Sequence, residues 1–340
     1  MNKEIYETIF NMPNLMEKAL MELNLNGDIK YNINKVAFFG MGGSGIAGRI
    51  ISEWVIENGK LQISAYNDMK IPRKIDKETL IVSISYSGNT EETIMVAENA
   101  LRENYPSAII SSNGKLIEIA EKNNIPYVKI PQIFNQPREA LPYLFIAAIK
   151  VLMEINFINS KHIKQIHETI KTLYNLREEL SLDNVPRKIA EKIHNKFISI
   201  YTYDPLTVSA IRFKQSLNEN SKAIAKVEVI PEAGHNAIME LEEDTKILGK
   251  MIMILIREED IANRLIEKSI ETFKELAVKR EMELEEIVVK GGSTLSKIFS
   301  AIYLGDLTSV ELANIKMIDA RKIDSIKYLK SKIRELYLHT

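Results

Sequence analysis

Along the first half of the chain, short apolar or β-branched runs alternate with stretches whose apolar residues recur every three or four positions. Val36–Phe39, Leu61–Ala65, Thr79–Ser85, Ser107–Ser112 and Pro126–Ile130 read as strands bounded by turn residues. Between them, Gly45–Ile56, Glu91–Leu101 and Leu116–Lys122 read as helices. Such alternation predicts a parallel sheet with helices on both faces. The opening segment Lys3–Leu23 has the pattern of one amphipathic helix laid across that unit. Leu141–Met153 and His162–Leu180 predict a helical region joining the halves, with Pro137 and Pro142 at its entry. The second half repeats the alternation. Its strand candidates are Phe197–Tyr201, Ile224–Val229, Leu248–Leu255 and Leu284–Val289. Its helix candidates are Thr207–Glu219, Ile261–Leu276, Ser296–Ile315 and Ser325–Leu336. The expectation is an α/β protein of two doubly wound domains, each a parallel sheet flanked by helices, spanning 1–153 and 154–340. No low-complexity linker separates them, so they are expected to pack together.

Composition narrows the function classes. The chain has 340 residues, 45% apolar and 27% charged, an ordinary globular mixture for two domains. Its 45 basic and 46 acidic residues give a net charge of −1 with no block of one sign, so no nucleic-acid partner is expected. The absence of cysteine excludes disulfides, thiolate metal sites and thiol nucleophiles. The most membrane-like run, Met251–Ile256, falls far short of the ~20 residues of a spanning helix. The opening residues also lack the apolar core of a signal peptide. The reading is a soluble, cytoplasmic protein with no membrane partner.

Candidate chemistry begins where Val36–Phe39 runs into Gly40-Met41-Gly42-Gly43-Ser44-Gly45-Ile46-Ala47-Gly48 and a helix. Small residues before a helix N-terminus let the backbone approach an anion and aim N–H groups at it. Gly40, Gly42 and Gly45 also satisfy G-x-G-x-x-G, with Asp68 about 20 residues on, so a nicotinamide-dependent dehydrogenase is a rival. The second loop, Ser85-Tyr86-Ser87-Gly88-Asn89-Thr90-Glu91-Glu92-Thr93, clusters hydroxyls at the carboxyl end of a strand. Capping by Ser87 or Thr90 needs one hydroxyl. Ser85, Ser87 and Thr90 together suit a phosphate monoester held with Gly43 and Ser44.

The SYSGNTEET stretch resembles the phosphosugar-binding signature of sugar isomerase (SIS) domains. With GMGGSGIAG it is similar to the bifunctional phosphoglucose/phosphomannose isomerases, which carry two SIS domains in about this length. The resemblance implies an aldose–ketose isomerase acting on hexose 6-phosphates through an enediolate, without metal or cofactor, as a homodimer. A non-catalytic sugar-phosphate sensor of the same architecture is the alternative.

Such a reaction needs a carboxylate to move the proton and an acid/base group at the ring oxygen or carbonyl. Glu219 stands in Leu217-Asn218-Glu219-Asn220, and His235 in Pro231-Glu232-Ala233-Gly234-His235-Asn236. The resemblance makes Glu219 the base and His235 the ring-opening group, contributed by the other subunit; Glu232 is the alternate carboxylate. Arg138, in Pro137-Arg138-Glu139-Ala140-Leu141-Pro142-Tyr143, corresponds to the family arginine that stabilises the enediolate; otherwise it is a surface residue paired with a neighbouring carboxylate. Leu304-Gly305-Asp306-Leu307-Thr308-Ser309-Val310-Glu311-Leu312-Ala313 is similar to the family's LGD-x-x-SV-x-LA helix. Ile326-Lys327-Tyr328-Leu329-Lys330 matches the setting of a catalytic lysine, which makes Lys330 the candidate, although terminal-helix lysines are usually solvated. Three positions depart from the family pattern, the first of which bears on glucose/mannose specificity. The turn 318–324 lacks the family's prolines and threonine, Arg49 replaces an acid, and Ala237 stands where a carboxylate is common.

Overall fold

The computed structural model describes residues 2–30, 33–55 and 62–338. Ile56 and Leu61, each at the end of an expected element, lie outside the described residues. The opening segment forms two helices, α1 (Lys3–Phe10) and α2 (Met12–Glu22), instead of one. Pro13 has no N–H to continue a helix, but it fits the first turn of a new one, so the break falls at Asn11.

The first sheet comprises β1 (Leu25–Asn26), β2 (Lys35–Gly40), β3 (Gln62–Tyr66), β4 (Thr79–Ser85), β5 (Ser107–Ser111) and β6 (Tyr127–Lys129), in the order β1-β6-β5-β4-β2-β3. All pairings are parallel except β1 with β6, a two-residue edge too short to register as a sequence pattern. Helices α3 (Gly42–Trp54), α4 (Glu91–Arg102) and α5 (Lys115–Asn123) connect the strands. Alternate strand residues face opposite layers. Val36 and Phe38 join the main core with Ile46 and Ile50, whereas Ala37 and Phe39 pack with Ile81, Val96 and Ala100 on the other side.

Helix α6 (Leu141–Glu154) is buried at eleven of its 14 residues, as its almost uninterrupted apolar sequence requires. It leads to α7 (Ser160–Asp183) and α8 (Val185–Ile193), which meet at left-handed Asn184. α8 was not anticipated; Pro186 stands in its first turn, again a helix starter.

The second sheet comprises β7 (Phe197–Tyr203), β8 (Ala225–Ile230), β9 (Met251–Arg257) and β10 (Glu283–Val288), all parallel, in the order β10-β9-β7-β8. Helices α9 (Thr207–Ser221), α10 (Thr245–Leu248), α11 (Arg264–Lys279) and α12 (Thr294–Ile315) belong to this half, and α13 (Asp324–Leu338) ends it. Thr245–Leu248 is helical, so β9 begins three residues later than its apolar run does. Helix α12, with 17 of 22 residues buried, packs against α7, α8 and α9 and reaches α1 and α3.

Helices α3 and α9 cross between the halves in opposite directions. The C-terminal end of α3 meets the start of α9, where Val208 N–H donates to Glu53 Oε2 at 2.9 Å. The start of α3 lies beside Arg138, which bonds Asn220 near the end of α9. The C-terminal edge of the first sheet and the N-terminal edge of the second therefore come together around Arg138.

Candidate active site

Strands β2 and β4 are neighbours, with Gly40 in register with Ile84. The chain leaves β2 toward β3 on one side and returns to β4 on the other, so their carboxyl ends form the topological switch point where open α/β sheets bind ligands. Helices α3 and α4 both begin there. Neither N-cap residue, Met41 or Thr90, makes a side-chain bond to its own helix. The Thr90 hydroxyl instead lies 2.8 Å from that of Ser85. Ser44 Oγ accepts from Tyr86 N–H at 3.2 Å, and Ser87 Oγ accepts from Asn89 N–H at 3.3 Å. Ser44, Ser85, Ser87 and Thr90 thus gather at two helix N-termini whose N-cap side chains leave the first-turn N–H groups uncapped, an arrangement suited to an anion.

Arg138 comes to this cradle on a 3-10 turn, Pro137–Ala140. A Cβ on Gly43 would lie 2.9 Å from Arg138 Cα, so only glycine lets the two backbones meet this closely. Arg138 is 4% exposed and spends its donors on four partners, among them Gln136 Oε1, which accepts from Nη1 at 3.4 Å. Nη1 donates to Glu219 Oε2 at 3.1 Å, Nε to Asn220 Oδ1 at 2.7 Å, and Nη2 to the Ala320 carbonyl at 2.8 Å. The surface-residue reading of Arg138 is overturned by this burial. Desolvation lowers its pKa, the Glu219 charge works against that, and the guanidinium stays charged.

Two neighbours escaped the sequence reading. Lys222 ends α9 in the left-handed region (φ 52°), where its Nζ donates to the Glu219 carbonyl at 2.6 Å and to the Ala320 carbonyl at 3.3 Å. Burial and then Arg138 lower its pKa. The departing 318–324 turn therefore supplies a main-chain acceptor shared by two site cations. Glu139, 5% exposed, leaves one carboxylate oxygen without a hydrogen-bond partner, and burial raises its pKa against the pull of Arg138 and Arg321. A carboxyl beside a catalytic-type arginine was visible in the sequence; its burial was not.

Other candidates stand apart. His235 is exposed on the 3-10 turn Glu232–His235, beyond the carboxyl end of β8. Glu219 lies near the amino end of that strand, where Asn218 Nδ2 bonds the Ala223 carbonyl. Six strand residues span roughly 20 Å, so these two side chains of one chain do not meet. Glu232 braces the His235 loop by accepting from Asn236 Nδ2 at 2.7 Å. Lys330 is exposed on α13 and bonds neither Arg138 nor Glu219. Asp68 is exposed, and its Oδ1 closes its own turn by accepting from the N–H groups of Met69 and Lys70 at 2.7 and 3.2 Å.

In the second half, α11, which follows β9 as α4 follows β4, is capped by its own Asn263 side chain, and two other helix starts receive a carboxylate. Glu53 accepts from Val208 N–H at the start of α9. Glu168 accepts from Gly292 and Ser293 N–H (2.8 and 3.1 Å) and from Ser296 Oγ (3.2 Å) at the start of α12. Internal side chains thus occupy helix-start donors in the second half. Among the described residues, no group of three or more His, Asp or Glu side chains could hold a metal ion, and no helix is long and apolar enough to cross a membrane.

Comparison with known proteins fits this geometry. A family model described as SIS domain matches residues 31–134, and one described as bacterial phospho-glucose isomerase C-terminal SIS domain matches 182–333. A bifunctional phosphoglucose/phosphomannose isomerase of Caldicellulosiruptor bescii is 33% identical over 98% of this chain and 99% of its own. The chain belongs to that isomerase family. A D-glucosamine-6-phosphate 4-epimerase of Sulfolobus acidocaldarius is 28% identical over 89% of this chain and 90% of its own. Among solved structures, a hypothetical protein from Thermus thermophilus superposes with a TM-score of 0.76 at 12% identity, covering 98% of this chain and 90% of that one, a likeness of fold.

Proposed function

We propose that the protein interconverts fructose 6-phosphate with glucose 6-phosphate and mannose 6-phosphate through an enediolate. The observation that carries this reading is the Arg138–Glu219 pair, 3.1 Å apart, beside the hydroxyl-lined switch point. Gly43, Ser44, Ser85, Ser87 and Thr90 hold the phosphate. Glu219 moves the proton between C1 and C2, and Arg138 offsets the negative charge that develops on the oxygens. Glu219 is partly open, with 24% of its side chain exposed, as a base that meets substrate must be. The reaction requires no metal or cofactor in this account. The division into domains at 153/154 belongs to the same proposal.

Proton NMR of fructose 6-phosphate with the protein in D₂O tests it. Glucose 6-phosphate, mannose 6-phosphate or both are expected to accumulate, with deuterium entering at the exchanged carbon. Saturable binding without turnover favours the sensor reading. The epimerase relative supports a second reading, which predicts inversion at C4 of an amino-sugar phosphate and no carbonyl migration.

Ring opening is assigned to His235 from a second copy of the chain. The separation of His235 from Glu219 within one chain supports this, as does the exposure of the His235 loop at the edge of β8. Lys330, exposed on α13, is assigned to a shared site on the same grounds. Complementation checks the arrangement. Glu219→Gln and His235→Ala proteins, each inactive, are unfolded together and refolded as an equimolar mixture. Random pairing makes half the dimers mixed, each with one intact site, so about a quarter of wild-type activity returns. No recovery in mixed dimers shows that both residues act from one chain.

A further inference from the structure

Among the described residues, the most deeply buried charges lie directly behind Arg138. Arg212 on α9 is 2% exposed and Asp306 on α12 is 1% exposed. Arg212 grips Asp306 with two nitrogens: Nη2 donates to Oδ2 at 2.7 Å, and Nε to Oδ1 and Oδ2 at 3.0 and 3.1 Å. Ser216 Oγ donates to Asp306 Oδ1 as well. Arg212 Nη2 also donates to the main-chain carbonyl of Arg138 at 2.8 Å. One turn along α12, Ser309 Oγ donates to the Asp306 carbonyl at 2.6 Å and accepts from Asn220 Nδ2 at 2.8 Å. Asn220 Oδ1 in turn accepts from Arg138 Nε at 2.7 Å. Two branches thus start on one turn of α12 and end on the two ends of Arg138, one on its backbone and one on its guanidinium.

We propose that Asp306, Arg212 and Ser309 are positioning residues that lock Arg138 in the orientation needed to meet the reacting oxygens. A buried ion pair is a poor device for stability, because desolvation offsets its attraction and well-packed apolar side chains often do as well. A bidentate guanidinium–carboxylate pair does fix direction. Arg138 projects from a short 3-10 turn, where an unrestrained arginine has many rotamers, and a group misplaced by an ångström loses much of its catalytic value. The two branches remove that freedom at both ends of the side chain. This role rests on the isomerase reading of Arg138.

The test joins kinetics to a probe that does not depend on turnover. In the Arg212→Met/Asp306→Leu protein the melting temperature is expected to stay within a few degrees of wild type. Its kcat on fructose 6-phosphate is expected to fall about 10–100-fold with KM within about threefold, because the phosphate loops are untouched. In an Arg138→Ala background the same pair of substitutions is expected to change kcat less than about twofold, since the group being positioned is gone. Multiplicative losses in that background, or wild-type kcat in the folded double variant, overturn the proposal. If the double variant does not fold, Ser309→Ala severs the guanidinium branch alone, with the same dependence on Arg138 expected and an Arg138-independent loss overturning it. The Arg138 Nε–H resonance, identified by its absence in Arg138→Lys, reads orientation directly. It is expected to be protected from exchange in wild type and to lose protection in either variant; unchanged protection overturns the proposal. If wild type turns over no substrate, the isomerase reading fails while the resonance still decides whether the network holds Arg138.

Discussion

Replacing Glu219 with glutamine lowers kcat by about 10²–10⁴-fold, the range contributed by one positioned acid/base group, and leaves KM within a few-fold of wild type. The amide keeps an oxygen for Arg138 Nη1, which now bonds Glu219 Oε2 at 3.1 Å, so the 3-10 turn and the end of α9 stay in place. What disappears is the capacity to accept and return a proton. The phosphate loops belong to other elements, and titration with fructose 6-phosphate by calorimetry or NMR shift therefore gives near-native affinity. A Glu219→Gln protein with kcat within tenfold of wild type removes Glu219 from the role of base. Glu232, the alternate carboxylate of the sequence reading, then becomes the next to replace. Its bond to Asn236 makes a loop brace the simpler account of that side chain.

The largest structural effect is expected from Gly88→Ala. Gly88 has φ 68°, in the left-handed region, and a Cβ there would lie 1.6 Å from the Asn113 carbonyl oxygen and 2.7 Å from Ser111 Oγ. Its N–H bonds the Ser85 carbonyl at 3.1 Å and its carbonyl accepts from Leu116 N–H at 3.0 Å, so no free space exists on either side of the turn. The alanine suffers left-handed strain and overpacking together, about 3 kcal/mol or more. Melting is expected to drop by on the order of 5–10 °C. Any folded fraction relieves the clash by moving the loop that carries Ser85, Ser87 and Thr90, which raises KM at least tenfold. Differential scanning calorimetry and steady-state kinetics check both parts. A variant with native KM places the phosphate elsewhere.

The two predictions test different kinds of legibility. Gly88, Ser85, Ser87 and Thr90 were readable because they are neighbours in sequence and remain neighbours in the turn between β4 and α4. Strand-then-helix periodicity placed them correctly at a carboxyl edge. The same local logic located both sheets and most helices within a few residues. It failed where short-range pattern is weak: at two-residue β1, at the break before Pro13, and at α8 behind left-handed Asn184. The capping reading of Thr90 also yielded to tertiary structure, since its hydroxyl turns to Ser85.

Residue types and their local spacing determined by themselves that the chain is a two-sheet α/β protein with two glycine- and hydroxyl-rich loops suited to an anion, and they nominated Arg138 and Glu219. Propensity, periodicity and turn chemistry act between near neighbours, which is why these were legible. The contact between Arg138 and Glu219 spans 81 positions, and that between Arg138 and Ala320 spans 182. Neither follows from any local preference. They exist because α9 and α12 pack together and carry the end of α9 and the 318–324 turn to the first sheet's open edge. That packing also buried Arg212 against Asp306, whereas it left Lys330 and His235 exposed. Which charges meet, and which stay in water, was decided by how all-round apolar helices close the core, a property of the whole chain and not of any segment of it.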